Sequence, residues 1–372
     1  IVTATRIVRD GYNAPTPTTV FGEEDLDRSG QINAFTAVNQ LPSLAGSNST
    51  STFGTTQSTG TGGLSSLNLR GLGATRTLTL LDGQRVVGAL NTGVTDAGAF
   101  PQALVKRVDI VTGGASASWG SDAVAGVVNY ILDHDFTGFK GRVSGGVTTY
   151  GDNAQHALTL TAGTRLLDGR LRLVASGEYQ DNDGIQQGIG DRGWYDGTRV
   201  LQRTIAGTPA GEPQYIVAPR VVDIRLAPGG IITSGPLSGI TFGLGGEPRQ
   251  FQYGSLIISP NMAGGEQSGD IGNNSNLDSA QRRRTFYGRI GYELTPDFSI
   301  HATYNYGDVR TFGHSWPGQY RTGTLNIRCD NAYLPQSIVD ACAANNITSF
   351  QFGSYLADLP DSIAFNTRSM NR

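Results

Sequence analysis

The sequence predicts an α+β globular segment followed by antiparallel transmembrane β-strands of an incomplete barrel. Three observations carry this reading. After Phe139, apolar and polar residues alternate with period two in separate runs. The connections between those runs alternate in a pattern of tight turns and long excursions. Before Phe139 the pattern differs, with a helical stretch, a hairpin signal and a glycine-dense tract between two apolar runs.

In the first run Phe139, Val143 and Val147 stand against Lys140, Arg142, Ser144 and Thr148. Leu158, Leu160 and Ala162 oppose Thr159 and Thr161. Leu171, Leu173, Ala175 and Tyr179 oppose Arg172, Ser176, Glu178 and Gln180. Phe286, Ile290, Tyr292 and Leu294 oppose Tyr287, Arg289 and Glu293. Phe298, Ile300, Ala302, Tyr304 and Tyr306 oppose Ser299, His301, Thr303 and Asn305. Runs of roughly ten residues are long enough to cross a bilayer at a tilt. Gly151–Asn153, Asp168–Gly169 and Thr295–Asp297 are tight connections, whereas 181–282 and 310–372 are long. In an up-and-down barrel successive connections change sides, so both long ones fall on the same side, as outer loops do. A soluble β-sandwich with two insertions is the alternative. Five strands cannot close and would leave an open edge. The chain therefore reads as the N-terminal part of a larger barrel, ending inside a polar loop at Asn371–Arg372.

Composition narrows the classes. Glycine supplies 52 of 372 residues, about twice ordinary usage, which fits turns and closely approaching backbone. A net charge of −3 leaves no basic footprint for nucleic acid. No apolar run is long enough for a transmembrane helix, and alternating barrel strands would not produce one. A secretory leader is expected to have been cleaved or left out. The hydrolase, metalloprotease and phosphate-loop motifs are missing and the histidines are scattered, so neither an enzyme nor a metal or cofactor site is expected.

Ile1–Arg9 is a short β-prone segment, and a frayed terminal strand is its plain reading. Asn13–Thr19 reads as an extended linker. Acidic Glu23, Glu24 and Asp25 open a helical run that Pro42 ends. Ser43–Gly63 and Gly88–Ala99 read as loops. Leu78 and Leu80 face Val86 across Asp82–Gly83, the strongest short hairpin signal. Val105–Val111 and Val124–Ile131 read as strands around a run of small residues. Gly113 and Gly114 are expected where no side chain fits or where φ is positive.

Three motifs in this region resemble those of TonB-dependent outer-membrane receptors. They are Leu69-Arg70-Gly71 with Leu78–Gly83, the segment Pro101–Val111, and the tract Gly113–Asn129. Trp119, Asp109 and Tyr130 are mild departures from the family pattern. The resemblance covers residues 1 to about 310, and Asn331–Pro335 also resembles the proteobacterial branch. It implies a TonB-box segment and linker at 1–19, a plug at 20–137 lodged in a 22-stranded barrel, and barrel strands from 138 with extracellular loops 181–282 and 310–372. It further implies import of a ferric chelate, cobalamin or oligosaccharide by a monomer in the bacterial outer membrane. Energy would come from TonB with ExbB and ExbD. A signal-transducing receptor of the same class, and an adhesive or carbohydrate-binding β-protein, are the alternatives.

Site residues follow from both readings. Ile1, Val2, Thr3 and Ala4 resemble a TonB box, which binds by strand addition. Gly71, Asp82, Gly83, Gly113, Gly114, Gly120, Gly126 and Asn129 make up the plug signature. Arg70 and Arg107 are expected to pair with Glu178 and Glu293 across the plug–wall boundary, since arginine binds carboxylates in a bidentate manner. Asn48, Thr52, Gln57, Asn91 and Thr92 are ligand candidates in two apical loops, Ser47–Gly63 and Asn91–Phe100. Trp194 and Trp316, with Tyr195 and Tyr320, could stack on a ligand. Cys329 and Cys342 are expected to form a disulfide in an oxidising compartment. Replacing Val2 with Pro removes a backbone N–H needed for strand addition, so uptake should be lost while surface binding of ligand persists in whole cells.

Overall fold

The structure is a computed structural model. It describes residues 17–31, 33–52, 62–113, 115–188, 192–194, 196–204, 206–243, 245–266, 276–314, 320–355 and 364–371. Ile1, Val2, Thr3, Ala4, Gln57, Gly114, Tyr195 and Trp316 lie outside the described residues, as does the side chain of Tyr320. The chain divides into two compact units: Ile1–Gln186, Asp278–Gly313 and Phe365–Arg372 form one, and Gln187–Leu277 with His314–Ala364 form the other.

The first unit contains two sheets. The smaller is built from β1 (Thr18–Gly22), β2 (Thr77–Leu81), β3 (Gln84–Arg85), β4 (Val105–Thr112) and β5 (Gly126–Leu132). Its order is β1-β4-β5-β2-β3. Only the β2–β5 pair is parallel among the pairings of this sheet. The central strands are buried on both faces, as Val108, Ile110, Val127 and Val128 show.

The expected single helix is two. α1 (Glu23–Arg28) ends before Gly30, whose φ of +64° breaks the run. α2 (Ala34–Asn39) starts afresh at Asn33, whose side chain accepts the Thr36 N–H at 2.8 Å. The small-residue run also differs from expectation. Ser116–Trp119 is a short helix, α3, with Ser116, Ala117 and Ser118 exposed. It is not squeezed between backbones, and Gly113 has open space beside it and a φ of +147°. The crowded glycine is Gly126. A Cβ there would strike the Val111 carbonyl and the Leu69 side chain, because β5 runs against β4 at that point. Leu67 and Leu69 are buried but form no strand. Leu69–Gly71 is a 3-10 turn with Arg70 at φ 55°.

The larger sheet is an antiparallel meander of β6 (Gly138–Gly146), β7 (Gln155–Leu166), β8 (Leu171–Asn182), β9 (Ala280–Thr295) and β10 (Phe298–His314). A sixth strand, β11 (Ala364–Asn371), lies beside β10 where a polar loop was expected. The two faces differ as the alternation predicts. Phe139 (73% exposed) and Val143 (82%) point outward, whereas Thr161 and Ser176 (2% each) and Tyr287 (1%) point inward. β9 and β10 have 16 and 17 residues, longer than the apolar alternation. Their ladder continues from Phe286↔Tyr306 to Ala280↔Phe312, because backbone pairing needs no apolar face.

Among its described residues the second unit carries short strands and a helix where long loops were expected. Its largest sheet runs in the order Pro248–Gln250, Ile240–Phe242, Ile231–Ile232, Ser349–Tyr355, Tyr320–Arg328. α4 (Gln336–Ala344) packs Ile338 and Cys342 against Ile232 and Phe350, and Cys342 is bonded to Cys329. Trp194 is exposed, at 58%.

Gly126→Ala should lower the unfolding temperature of the full-length protein, at a cost of about 1–3 kcal/mol, by combining a positive φ with backbone overlap. Gly113→Ala, with strain alone, should cost about 1 kcal/mol. Heat-modifiable gel migration distinguishes the two.

Candidate functional site at the plug–wall boundary

The β2–β3 turn organises one side of this boundary. Asp82 and Gly83 both have positive φ, 52° and 72°, the hairpin geometry that an Asp-Gly pair favours. The Gly83 N–H donates to Asn129 Oδ1 at 2.9 Å, which ties the turn to β5. Asp82 Oδ1 accepts the Leu132 N–H at 2.8 Å. Its other oxygen lies 3.0 Å from His134 Nε2, and His134 Nδ1 lies 3.2 Å from the hydroxyl of Tyr287 on β9. A chain of polar contacts thus runs from the turn to the wall.

A second link is a buried ion pair. Glu178 on β8 and Arg283 on β9 meet at 2.8 Å, with side-chain exposures of 1% and 2%. Glu178 Oε1 also accepts the Ala103 N–H at 2.8 Å, and Arg283 donates to Gln180 Oε1 at 3.2 Å. Lys140 on β6 pairs with Glu23 at 3.0 Å, and Thr311 on β10 donates to the Gly63 carbonyl at 3.1 Å. Between these links the surfaces touch directly. A Cβ on Gly307 of β10 would overlap the Ala99 carbonyl, and one on Gly163 of β7 the Phe136 carbonyl. Val174 and Tyr287 pack into the same apolar cluster as Phe100, Leu104 and Tyr130. Burial pushes the Tyr130 phenol above the usual tyrosine range.

The expected ion pairs have other partners. Arg70 is exposed, and Arg107 pairs with Asp109 at 2.9 Å inside the plug sheet. Glu293 pairs with Arg172 at 2.5 Å, and Arg172 reaches Asp135 at 3.0 Å. The carboxylates do face inward, but each is taken by an arginine on the adjacent wall strand. Register placed the partner there: Arg172 and Gly291 are paired, and Arg283 faces Gln180. Asn48 is held to Ser66 by two hydrogen bonds, and Thr52 Oγ1 accepts the Ser49 N–H. Asn91 and Thr92 are exposed at a tight turn, whereas Val94 and Ala97–Phe100 are buried under the wall and so form no apical loop. Gly71 and Gly120 have positive φ at exposed positions. His134, Ala103, Gly163 and Gly307 were missed, because nothing local distinguishes them.

A cavity of about 450 Å³ remains between the β2–β3 hairpin and β9–β10. Asp82, Gln84 and Arg85 line one side, and Arg289, His301, Thr303 and Asn305 line the other.

Glu178→Ala leaves Arg283 buried without its partner, at a cost of about 3–5 kcal/mol. Glu178→Gln keeps an acceptor for Ala103 and should cost less. The expected readouts are a lower unfolding temperature and faster proteolysis of residues 20–137 in the full-length protein.

The TonB-dependent Receptor Plug Domain model matches residues 10–127. Among solved structures, a mutant ferric enterobactin receptor (PfeA) of Pseudomonas aeruginosa in complex with enterobactin is 16% identical over 80% of this chain and 33% of its own, with a TM-score of 0.44. The ferripyoverdine receptor of the outer membrane of the same organism is 14% identical over 90% and 30%, with a TM-score of 0.43. The alcaligin outer-membrane receptor FauA of Bordetella pertussis is 14% identical over 84% and 38%, with a TM-score of 0.42. This chain spans about a third of the length of each. Residues 10–127 thus match a TonB-dependent receptor plug domain, and an antiparallel wall of outward-apolar strands follows it.

Proposed function

We propose that this chain is the plug and first wall strands of an active importer that takes a scarce nutrient, a ferric chelate, cobalamin or an oligosaccharide, across the outer membrane. Residues 1–19 serve as TonB box and tether, 20–137 as the plug, and 138–372 as wall and extracellular segments. Ile1–Ala4 pair with TonB, which ExbB and ExbD energise. The carrying observation is the plug's attachment to the inner wall face through polar groups, Glu178–Arg283 with Ala103 and Asp82–His134–Tyr287. Hydrogen bonds of this kind can exchange with water when a force is applied, whereas a continuous apolar interface would resist wetting. The ligand is small and binds on the outer side, where Trp194 in segment 181–282 offers an exposed aromatic ring. Bilayer lipid covers the outward face of the wall.

The test is accumulation of labelled ferric chelates, cobalamin and maltooligosaccharides by cells carrying the full-length receptor, with and without TonB. One class should accumulate only when TonB and the proton gradient are present, with surface binding unchanged. Equal accumulation in cells lacking TonB would overturn the reading.

A further inference from the structure

Two buried acceptor oxygens sit on a pair of hydrogen-bonded residues at the end of the wall that carries the long connections. Asp278 precedes β9, and Asn153 lies in the β6–β7 turn with a φ of 50°. Asn153 Nδ2 donates to Asp278 Oδ2 at 3.4 Å. The Oδ1 of each residue is buried, and neither has a hydrogen-bond partner among the described residues. The Thr50 hydroxyl donates to the same carboxylate, and the Ser279 N–H donates to the Thr50 carbonyl at 3.2 Å. All these residues belong to the first unit, and Thr50 lies within the plug match at 10–127. The junction therefore ties the plug to the start of β9 and to the β6–β7 turn. A Cβ on Gly184 would strike the backbone of residues 278–280, so main chain closes that side. The charged groups of the surrounding elements are Asp152 in the turn, Asp181 and Asp183 at the end of β8, and Arg282 at the start of β9. Asp152 accepts the Thr148 hydroxyl, and Arg282 pairs with Asp181 at 2.7 Å. Plug segment 47–52 carries no charge.

We propose that this junction is an acid-tightened latch: a proton taken from solvent by Asp278 gives its carboxyl an O–H that donates to Asn153 Oδ1 and fastens plug segment 47–52 to the rim of the wall. The latch goes beyond the import reading and does not depend on it. An ionised carboxylate offers acceptors only, and so does the oxygen of an amide. Two orphan acceptors on bonded residues are short of one donor, and burial keeps them from water. Arg282 does not supply that donor, because Asp181 holds it. Protonation supplies it with no movement of the chain. Burial holds the Asp278 carboxyl above the usual carboxylate range, against hydrogen bonds from Thr50, Asn153 and the Ser279 backbone that favour its charged form. The sign follows from linkage. A carboxyl whose pKa is raised by folding is penalised at high pH, and the penalty is relieved as pH falls through the folded-state pKa. The junction thus tightens on acidification, at a pH above the ordinary carboxylate range.

The test is hydrogen–deuterium exchange of the full-length receptor in non-ionic detergent, read on peptides covering 47–52 and 150–154. It requires no transport, so it can fail independently of the import reading. After correction for the intrinsic pH dependence of exchange, protection of both segments should rise about tenfold from about pH 8 to about pH 5. Asp278→Asn places a permanent donor at the same position, so protection should be high and equal at both pH values. Asn153→Asp adds a second carboxylate to share the proton, which should move the transition to higher pH. Heat-modifiable migration checks that each variant is folded. Corrected protection that does not change with pH in the parent, or a pH dependence that survives Asp278→Asn, would overturn the proposal. The parent's own pH dependence is decisive by itself, and the two variants lie on different elements, so failure of one to fold leaves the other to decide.

Discussion

The wall presents polar side chains to a domain that excludes water, and the pairing of Glu178 with Arg283 is how this is tolerated. Two charges at 1% and 2% exposure would be untenable alone. Each stabilises the other, and Gln180 and the Ala103 N–H complete the set. The wall strands supply both charges, and the plug supplies only backbone. This buried link therefore uses no charged plug residue, whereas Glu23 and Asp135 of the plug meet Lys140 and Arg172 of the wall at exposed positions, and Arg70 stays exposed with Arg107 in a pair with Asp109.

The Asp82–Gly83 turn shows how one local feature acts at two levels. Locally it reverses the chain with two positive φ angles. Asn129 then fixes it to the neighbouring strand, so the second oxygen of Asp82 is held toward His134 and the wall. The signature residues Asp82, Gly83 and Asn129 form one assembly, and its output is the orientation of His134 against Tyr287. This chain and the Glu178 cluster are both polar links between the hairpin side and the wall.

Around these links the boundary is not uniformly closed. Backbone meets backbone where Gly307 and Gly163 face carbonyls of Ala99 and Phe136, while space remains at Arg289.

The sequence by itself determined which residues face lipid and which face inward, because strand geometry alternates side chains with period two whatever the partner strand is. Leu158, Phe286 and Ile300 were assigned on that ground, as was the inward position of Glu178. It also determined the Asp82–Gly83 hairpin, since φ > 0 at two successive residues selects few residue types. Only the tertiary structure decided which charges meet. Glu178 and Arg283 are 105 positions apart and become neighbours through the β8–β9 register, across an insertion that no local pattern can measure. The same holds for Gly126 and Gly307, which look like any other glycine until another backbone arrives. It holds too for β11, whose residues alternate weakly and become a strand because β10 offers an edge. Faces are a property of the chain's own geometry, whereas partners are a property of closure in three dimensions.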